Sequence, residues 1–590
     1  MKSFLHDLRD IFILVPYETK RFWQKPIFWG NAALLFLLYA IFYGNTLHES
    51  YPDEFDNMLG GKLILHGSLP YIGFFSHHGP VSYFVGAIVY LFSGMSFVRF
   101  RIVYSILLFL FSLYSFSFIK KSAGFVKARF YLIFLFIFGI AATYFWGHML
   151  IADNIAAIFI APVFVLLLLK ALFSQPLTRR DTVFISILTA LTVLSSVTYI
   201  YLVGIFYLFT VYLYWLENRR KLFARGTFWF LITLAAPYIV FALYLFVTRS
   251  FSQWLYQSIV FNQKYYIYYE GSSGQVTTNP IRFGIIIANQ FFNNFHSLLN
   301  QSFTFNFVYP LNITLALGNV ALIVYLLFKR KFTLASFVIL AFIFANGRSN
   351  PLTSGEKDYQ SAVYILLSLA SFCFVVPAIF TELKEREYNR RLLFSALFVL
   401  LSIYGFFSFL FLMNKFTVKM YGKYMGTAPL IYDRPQIAPI INQVSSKNDY
   451  VWIGPLEFGE LTYVNGKLPS KYQFLIPAMS KSDRIMTELM SEFNNHKPAV
   501  IWFDKRYFIL GSSPEKYAQF FLDFLHQNYV TLDTYRNGNI RYVSAGAPDP
   551  RVDLETKLYI NKDQKDAIIA KMLSLGIIKE SIENEKPQKK

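Results

Sequence analysis

The apolar residues of this chain come in runs of roughly 17–25, the length a helix needs to cross a bilayer. Between the runs lie short loops, many rich in Lys and Arg. Taken in order, the runs predict spans at about 28–46, 101–119, 130–146, 155–172, 183–198, 199–216, 227–247, 306–328, 332–346, 361–380 and 392–413. Cytoplasmic loops carry an excess of Lys and Arg. That rule places residues 1–28 inside, with Lys2, Arg9, Lys20, Arg21 and Lys25, together with the loops KKSAGFVKAR, Arg179–Arg180, NRRKLFAR, Lys329–Lys331 and KEREYNRR. The run 81–97 is short and diluted by Ser82, Gly86, Ser93 and Gly94, and reading it as a span would put KKSAGFVKAR outside. We read it as a helix along the outer interface. The fold class expected is a polytopic α-helical membrane protein of about eleven spans, N-terminus in and C-terminus out. After residue 413 the pattern changes. Short strand-like runs (YVWIG, AVIWF, YVTLDTY, IRYVS) alternate with helical patterns at about 482–495 and 514–528, which predicts a small extracytoplasmic α/β domain. The division expected is 1–413, a transmembrane domain with an outer first loop at 47–100, and 414–590, the α/β domain; the charged end, 575–590, reads as frayed.

Composition supports this reading. Hydrophobic residues make up 55% of the 590, aromatic residues 19%, and mean hydropathy is +0.41. A soluble domain carries about 45–50% apolar residues. The net charge of +20 raises nucleic acid as a partner, but the basic residues gather in loops between spans, so membrane lipids and not nucleic acid are the expected partners. The single cysteine, Cys373, lies in an apolar run and excludes an intrachain disulfide. No cleavable leader and no internal repeat is visible.

Chemistry concentrates in Tyr51–Pro80, YPDEFDNMLGGKLILHGSLPYIGFFSHHGP, with carboxylates at Asp53, Glu54 and Asp56 and adjacent His77 and His78. The predicted topology puts this stretch on the outer side with Asp153, in the loop GHMLIADN, and with Arg348, Glu356 and Lys357, in NGRSNPLTSGEKDYQ. A carboxylate can take the proton of an acceptor hydroxyl. A cation can hold a departing phosphate and its growing charge. Each group also has a plain structural reading. Asp53–Glu54 fit the N-terminus of a helix at 55–66, Asp153 the cap of the span after it, Arg348 and Lys357 snorkelling positions, and Lys264 with Tyr265, Tyr266, Tyr268 and Tyr269 an interfacial belt. Asn312–Ile313–Thr314 matches a glycosylation sequon by chance at the mouth of a span. No regular metal-ligand spacing is present, so no cofactor is assigned; a divalent metal at His77 and His78 stays open.

An acidic pair after the first span, a helix, Gly67-x-x-Pro70-Tyr71, and a Pro opening an interfacial helix resemble the C-type superfamily of membrane glycosyltransferases. The likeness is to the protein O-mannosyltransferase and aminoarabinose transferase branch. It covers the first loop well and the spans loosely. It implies an inverting hexosyl or pentosyl transferase of the cell envelope, working on the extracytoplasmic side of the inner or plasma membrane. The implied donor is a polyprenyl-phosphate-linked sugar, and the acceptor a lipid, glycan or protein. By the resemblance Asp53 is the general base, Glu54 helps place the acceptor, and Asp153 matches the second-loop aspartate. His78 falls where some members have a Lys that contacts the lipid phosphate, with Arg348 as the compensating cation. The alternative is a transporter or flippase of lipid-linked sugars, for which a charge or a helix break at mid-span would speak. A third reading makes the membrane part an anchor for a binding domain at 414–590. If the chain is a transferase, its lipid-sugar site is expected to persist in 1–413 alone.

Overall fold

The computed structural model describes residues 13, 26–217, 225–266, 279–303, 310–345, 359–385, 388–424, 435–537, 540–546 and 552–582. Among them, eight helices are long and apolar enough to cross a membrane: Pro26–Leu47, Phe97–Ala123, Ala152–Leu172, Val197–Glu217, Gly226–Val247, Pro310–Phe328, Tyr359–Leu383 and Leu392–Val418. The chain is a polytopic, mainly helical integral membrane protein with small sheets near its C-terminal end. Three of the eleven expected spans coincide with shorter helices, Phe125–Ala141, Arg179–Ser195 and Phe332–Ala345. At 1.5 Å per residue a 17-residue helix covers only about 25 Å, less than the roughly 30 Å of a hydrocarbon core. The run at 81–97 forms the 13-residue helix Val81–Ser93, shorter still.

Ala152–Leu172 is the axis of the helical body, with 83% of its apolar window buried. It packs on Arg179–Ser195, Ala362–Glu385 and Phe97–Ala123. Pro162, Pro237 and Pro377 lie inside helices that continue through them, so the described spans carry no break of the kind transport would favour. Asn312 of the sequon is buried in Pro310–Phe328 and accepts a hydrogen bond from the Tyr144 hydroxyl at 3.0 Å.

Above this body the first loop folds as Pro52–Leu65 crossing Val81–Ser93. The crossing is close because glycines sit in it. A Cβ on Gly61 would lie 2.5 Å from the Gly86 carbonyl carbon, and one on Gly86 would lie 2.3 Å from the Asn57 oxygen.

The C-terminal region builds a four-stranded sheet from β1 (Val451–Gly454), β2 (Val500–Phe503), β3 (Tyr529–Thr531) and β6 (Leu558–Asn561), in the order β1-β2-β6-β3. β1 and β2 run parallel, Val451 opposite Val500, and β6 is antiparallel to both β2 and β3. A second sheet joins β4 (Arg536–Asn537), β5 (Ile540–Ser544) and β7 (Ile578–Ile582). The end expected to fray is therefore in part a strand: β7 pairs along all five of its residues with β5. Its charged Lys579 and Glu580 hid the signal. The last membrane helix, Tyr388–Tyr424, runs past residue 413, where the domain boundary was expected.

The sheet region does not stand apart. Phe55, Met58, Leu59, Phe75 and Val81 of the first loop belong to the same apolar core as Trp452, Phe474, Trp502 and Phe521. Phe75 is fully buried, with its ring 5.2 Å from Phe261, 5.4 Å from Tyr472 and 5.7 Å from Phe474.

Candidate functional site

The first loop, the loop before the central helix and the C-terminal region enclose a cavity of about 300 Å3. Its lining unites Asp53, His77, His78 and Asp153, four of the seven residues expected at a site (the others are Glu54, Arg348 and Lys357), and adds Asp56. The chain is steered there by helix starts. Pro52 opens the helix Pro52–Leu65 at its first turn, where a missing N–H costs nothing. Tyr51, Pro52 and Asp53 then line the cavity, as do Ile151, Ala152 and Asp153 at the start of Ala152–Leu172. Neither aspartate is the N-cap. The cap positions belong to Tyr51 and Ile151, which make no side-chain cap bond. Both aspartates sit two residues further in, where the helix dipole favours negative charge.

Asn57 ties the two starts together. Its Nδ2 donates to the Asp53 carbonyl at 2.8 Å and to the Leu150 carbonyl at 3.0 Å. Tyr359, at the described edge of NGRSNPLTSGEKDYQ, donates its hydroxyl to Asp53 Oδ2 at 3.1 Å. Its ring stacks on Trp146, and Tyr51 packs on both. Asn57 and Tyr359 carried no motif: their importance comes from where the loops meet.

Glu54 faces away from the cavity. It is fully buried and takes Arg101, with Nε at 3.0 Å from Oε1 and Nη2 at 2.5 Å from Oε2. Arg101 also donates to the backbone carbonyls of His48 and Glu49. Of the acidic pair, then, only Asp53 reaches the cavity, and Glu54 locks the first loop onto the start of Phe97–Ala123. The reason is geometric: adjacent residues on a helix diverge by about 100°.

The histidine turn is fixed by a segment that read only as outer loop. From the helical stretch 251–264, Asn262 Nδ2 donates to the His77 carbonyl at 2.7 Å and Ser258 Oγ to that of His78 at 3.3 Å. Gln257 donates to the Tyr71 carbonyl and accepts from the Ser76 N–H. The two imidazoles lie 3.9 Å apart, and His77 packs 4.7 Å from Tyr266. Tyr266, expected in an aromatic belt, is part of the cavity wall. Lys264 stays beside Tyr265, while Tyr268 and Tyr269 lie outside the described residues.

The remaining wall comes from the C-terminal region: Leu456, Phe458, Phe474, Ile476 and Tyr507–Leu510. That region is fastened to the first loop by backbone as well as side chains. Phe75 N–H donates to the Lys471 carbonyl at 2.7 Å, and Gln473 Nε2 donates to the Phe75 carbonyl at 2.8 Å. Lys62 Nζ reaches the carbonyls of Thr462 and Val464, and burial brings its pKa down to about 8. Asp56, whose Oδ2 accepts from the Tyr83 hydroxyl at 2.7 Å, has its pKa pushed up to about 7, first by burial and then by the nearby Asp53.

Arg348, Glu356 and Lys357 lie outside the described residues. Among the described residues that line the cavity none is Lys or Arg. Also among the described residues, no group of three or more His, Cys, Asp or Glu side chains is arranged to hold a metal ion.

No family model matches the chain, and no curated protein matches it. Solved structures similar to it include two of the same protein. One is ArnT from Cupriavidus metallidurans in the apo state, 13% identical with a TM-score of 0.45, covering 86% of this chain and 96% of that one. The other is ArnT from Cupriavidus metallidurans bound to undecaprenyl phosphate, 13% identical with a TM-score of 0.43, covering 86% and 95%.

Proposed function

We propose that this protein is an inverting glycosyltransferase that moves a sugar from a polyprenyl-phosphate carrier to an acceptor hydroxyl on the extracytoplasmic side of the membrane. The observation that carries the reading is the meeting of Asp53, His77 and His78 of the first loop with Asp153, from a loop far along the sequence, in one cavity above a membrane-helix body. The order of the motifs around Asp53 resembles the C-type glycosyltransferases and supports the same reading.

In this mechanism Asp53 accepts the proton of the acceptor hydroxyl as its oxygen bonds to the anomeric carbon. The bond from that carbon to the phosphate oxygen breaks on the opposite face, and the polyprenyl phosphate leaves with the electron pair. A single displacement inverts the anomeric centre. The leaving group is already an anion and needs no acid, so the spacing rule for glycosidase carboxylates does not apply. Tyr359 and Asn57 hold the base in position. The positive dipole ends of Pro52–Leu65 and Ala152–Leu172 lie at the cavity and favour the charged forms of Asp53 and Asp153. Arg348, His77 and His78 supply positive charge in this assignment, and Glu54 acts through Arg101 on the placement of Asp53.

The test is transfer by the purified protein in vesicles from a panel of radiolabelled polyprenyl-phosphate sugars. One donor in the panel is expected to lose its sugar to a hydroxyl acceptor, and Asp53→Asn to abolish that transfer while the protein inserts and unfolds normally. Translocation of intact lipid-linked sugar with no bond broken would replace this reading by the flippase.

A further inference from the structure

The mechanism above gives the cavity carboxyl of Asp56 no task. Asp56 is three residues beyond Asp53 on the same helix, so the two side chains project on the same side, one above the other. Its side chain is 6% exposed and lines the cavity. Oδ2 is committed to the Tyr83 hydroxyl, whereas Oδ1 is buried and has no hydrogen-bond partner among the described residues. A buried oxygen of this kind is costly unless something completes it.

We propose that Asp56 is a substrate-contacting residue of this cavity, working as a neutral carboxylic acid that donates a hydrogen bond from Oδ1 to a hydroxyl oxygen of the transferred sugar. This rests on the glycosyltransferase reading and adds to it a residue that recognises the sugar. The chemistry fits the surroundings. A carboxylate is only an acceptor, and one placed there would add a buried negative charge close to Asp53. The acid instead offers a donor, which a sugar hydroxyl can accept. Burial, and after it the neighbouring Asp53, favour the protonated form, and the hydrogen bond from Tyr83 opposes it. Gln473 comes near from the C-terminal region, with its Nε2 donating to the Phe75 carbonyl.

The proposal gives donor affinity a basic limb. The groups that face Asp56 are Asp53 on its own helix, Tyr83 from Val81–Ser93 and Gln473 from the C-terminal region, with His77, His78, Asp153, Tyr359 and Tyr507 around the same cavity. Imidazole side chains ordinarily change charge between about pH 5 and 8. The comparison that isolates Asp56 is therefore with Asp56→Asn, which keeps an acceptor for Tyr83 and a donor for the sugar but cannot lose a proton. Binding of the polyprenyl-phosphate sugar and its KM in transfer are measured from pH 5.5 to 8.5. In the wild type, affinity should fall above about pH 7. In Asp56→Asn that fall should shrink to what the histidines alone contribute. Asp56→Ala should weaken donor binding about tenfold below about pH 7, the scale of one hydrogen bond and its unmet partner, with the gap to the wild type closing above it. Tyr83→Phe removes a bond that favours the charged form, so it should move the limb to higher pH. An unchanged limb in Asp56→Asn, or equal losses in Asn and Ala, would overturn the assignment and leave a structural carboxyl. Absence of both binding and transfer in the wild type would instead overturn the glycosyltransferase reading, and this inference with it.

Discussion

At the scale of single residues, what the sequence discloses is polarity out of place. Asp53, Asp153, His77 and His78 stood out because they interrupt apolar runs, and all four line the cavity. Asp56 was visible for the same reason, but its burial and its free oxygen depend on Tyr83 and on a C-terminal segment far along the chain. Tyr359 and Asn57 had no such signal, since one more Tyr among 41 marks nothing. Glu54 shows the opposite failure: two adjacent acids read as one functional unit, yet the helix turns the second into a buried ion pair. That pair yields a sharp prediction. Glu54→Ala leaves the Arg101 guanidinium, 2% exposed, without its carboxylate, and should cost about 3–5 kcal/mol of stability. Replacing both partners together by Leu and Met should recover most of that loss, because two desolvated charges go with the pair. Unfolding in detergent of the wild type, Glu54→Leu, Arg101→Met and the double variant, with Glu54→Ala beside them, measures it. An additive cycle would mean that Glu54 and Arg101 do not depend on each other.

At the scale of elements, run length and loop charge were enough to find the long helices. They were not enough to separate a span from a helix of 14–17 residues, because tertiary packing decides whether a short apolar helix crosses or lies against its neighbours. The run after Pro80 carried the most useful local clue, its glycines. They dilute hydrophobicity, as noted from sequence, and in the structure Gly86 is where Val81–Ser93 meets Pro52–Leu65 backbone to backbone. A methyl group there meets the Asn57 carbonyl, which cannot yield without moving the residue that holds the Asp53 and Leu150 carbonyls. Gly86→Ala should therefore destabilise by about 1–3 kcal/mol and lower transfer beyond what the stability loss explains. Gly30, with open space around its Cβ position, is the control, and Gly30→Ala should change neither by more than about 0.5 kcal/mol. Equal behaviour of the two variants in unfolding and in transfer would show that the crossing does not set the site.

At the scale of the whole molecule, the alternation of strand and helix after residue 413 announced an α/β unit. Its attachment was illegible, because the bonds that make it join residues about 400 positions apart: Gln473 to Phe75, and Lys62 to Thr462 and Val464. The expectation that residues 1–413 carry the lipid-sugar site unaided does not agree with this geometry. The C-terminal region supplies eight lining residues of the cavity, Leu456, Phe458, Phe474, Ile476 and Tyr507 to Leu510, and shares its core with the first loop. Removing it would bare Phe55, Phe75 and Phe97 to water and cut the bonds that hold the turn before His77. We expect a chain ended at residue 434 to lose donor binding and transfer even where it still inserts. A milder version avoids truncation. Phe75→Ala deletes the ring between Phe261, Tyr472 and Phe474 and should cost about 3–5 kcal/mol. The loss should appear as easier proteolysis of the C-terminal region and as a raised donor KM, while the membrane helices unfold as before. If the shortened chain binds the lipid-linked sugar as tightly as the full one, the cavity wall is not where the donor sits, and the site must be sought nearer the membrane helices alone.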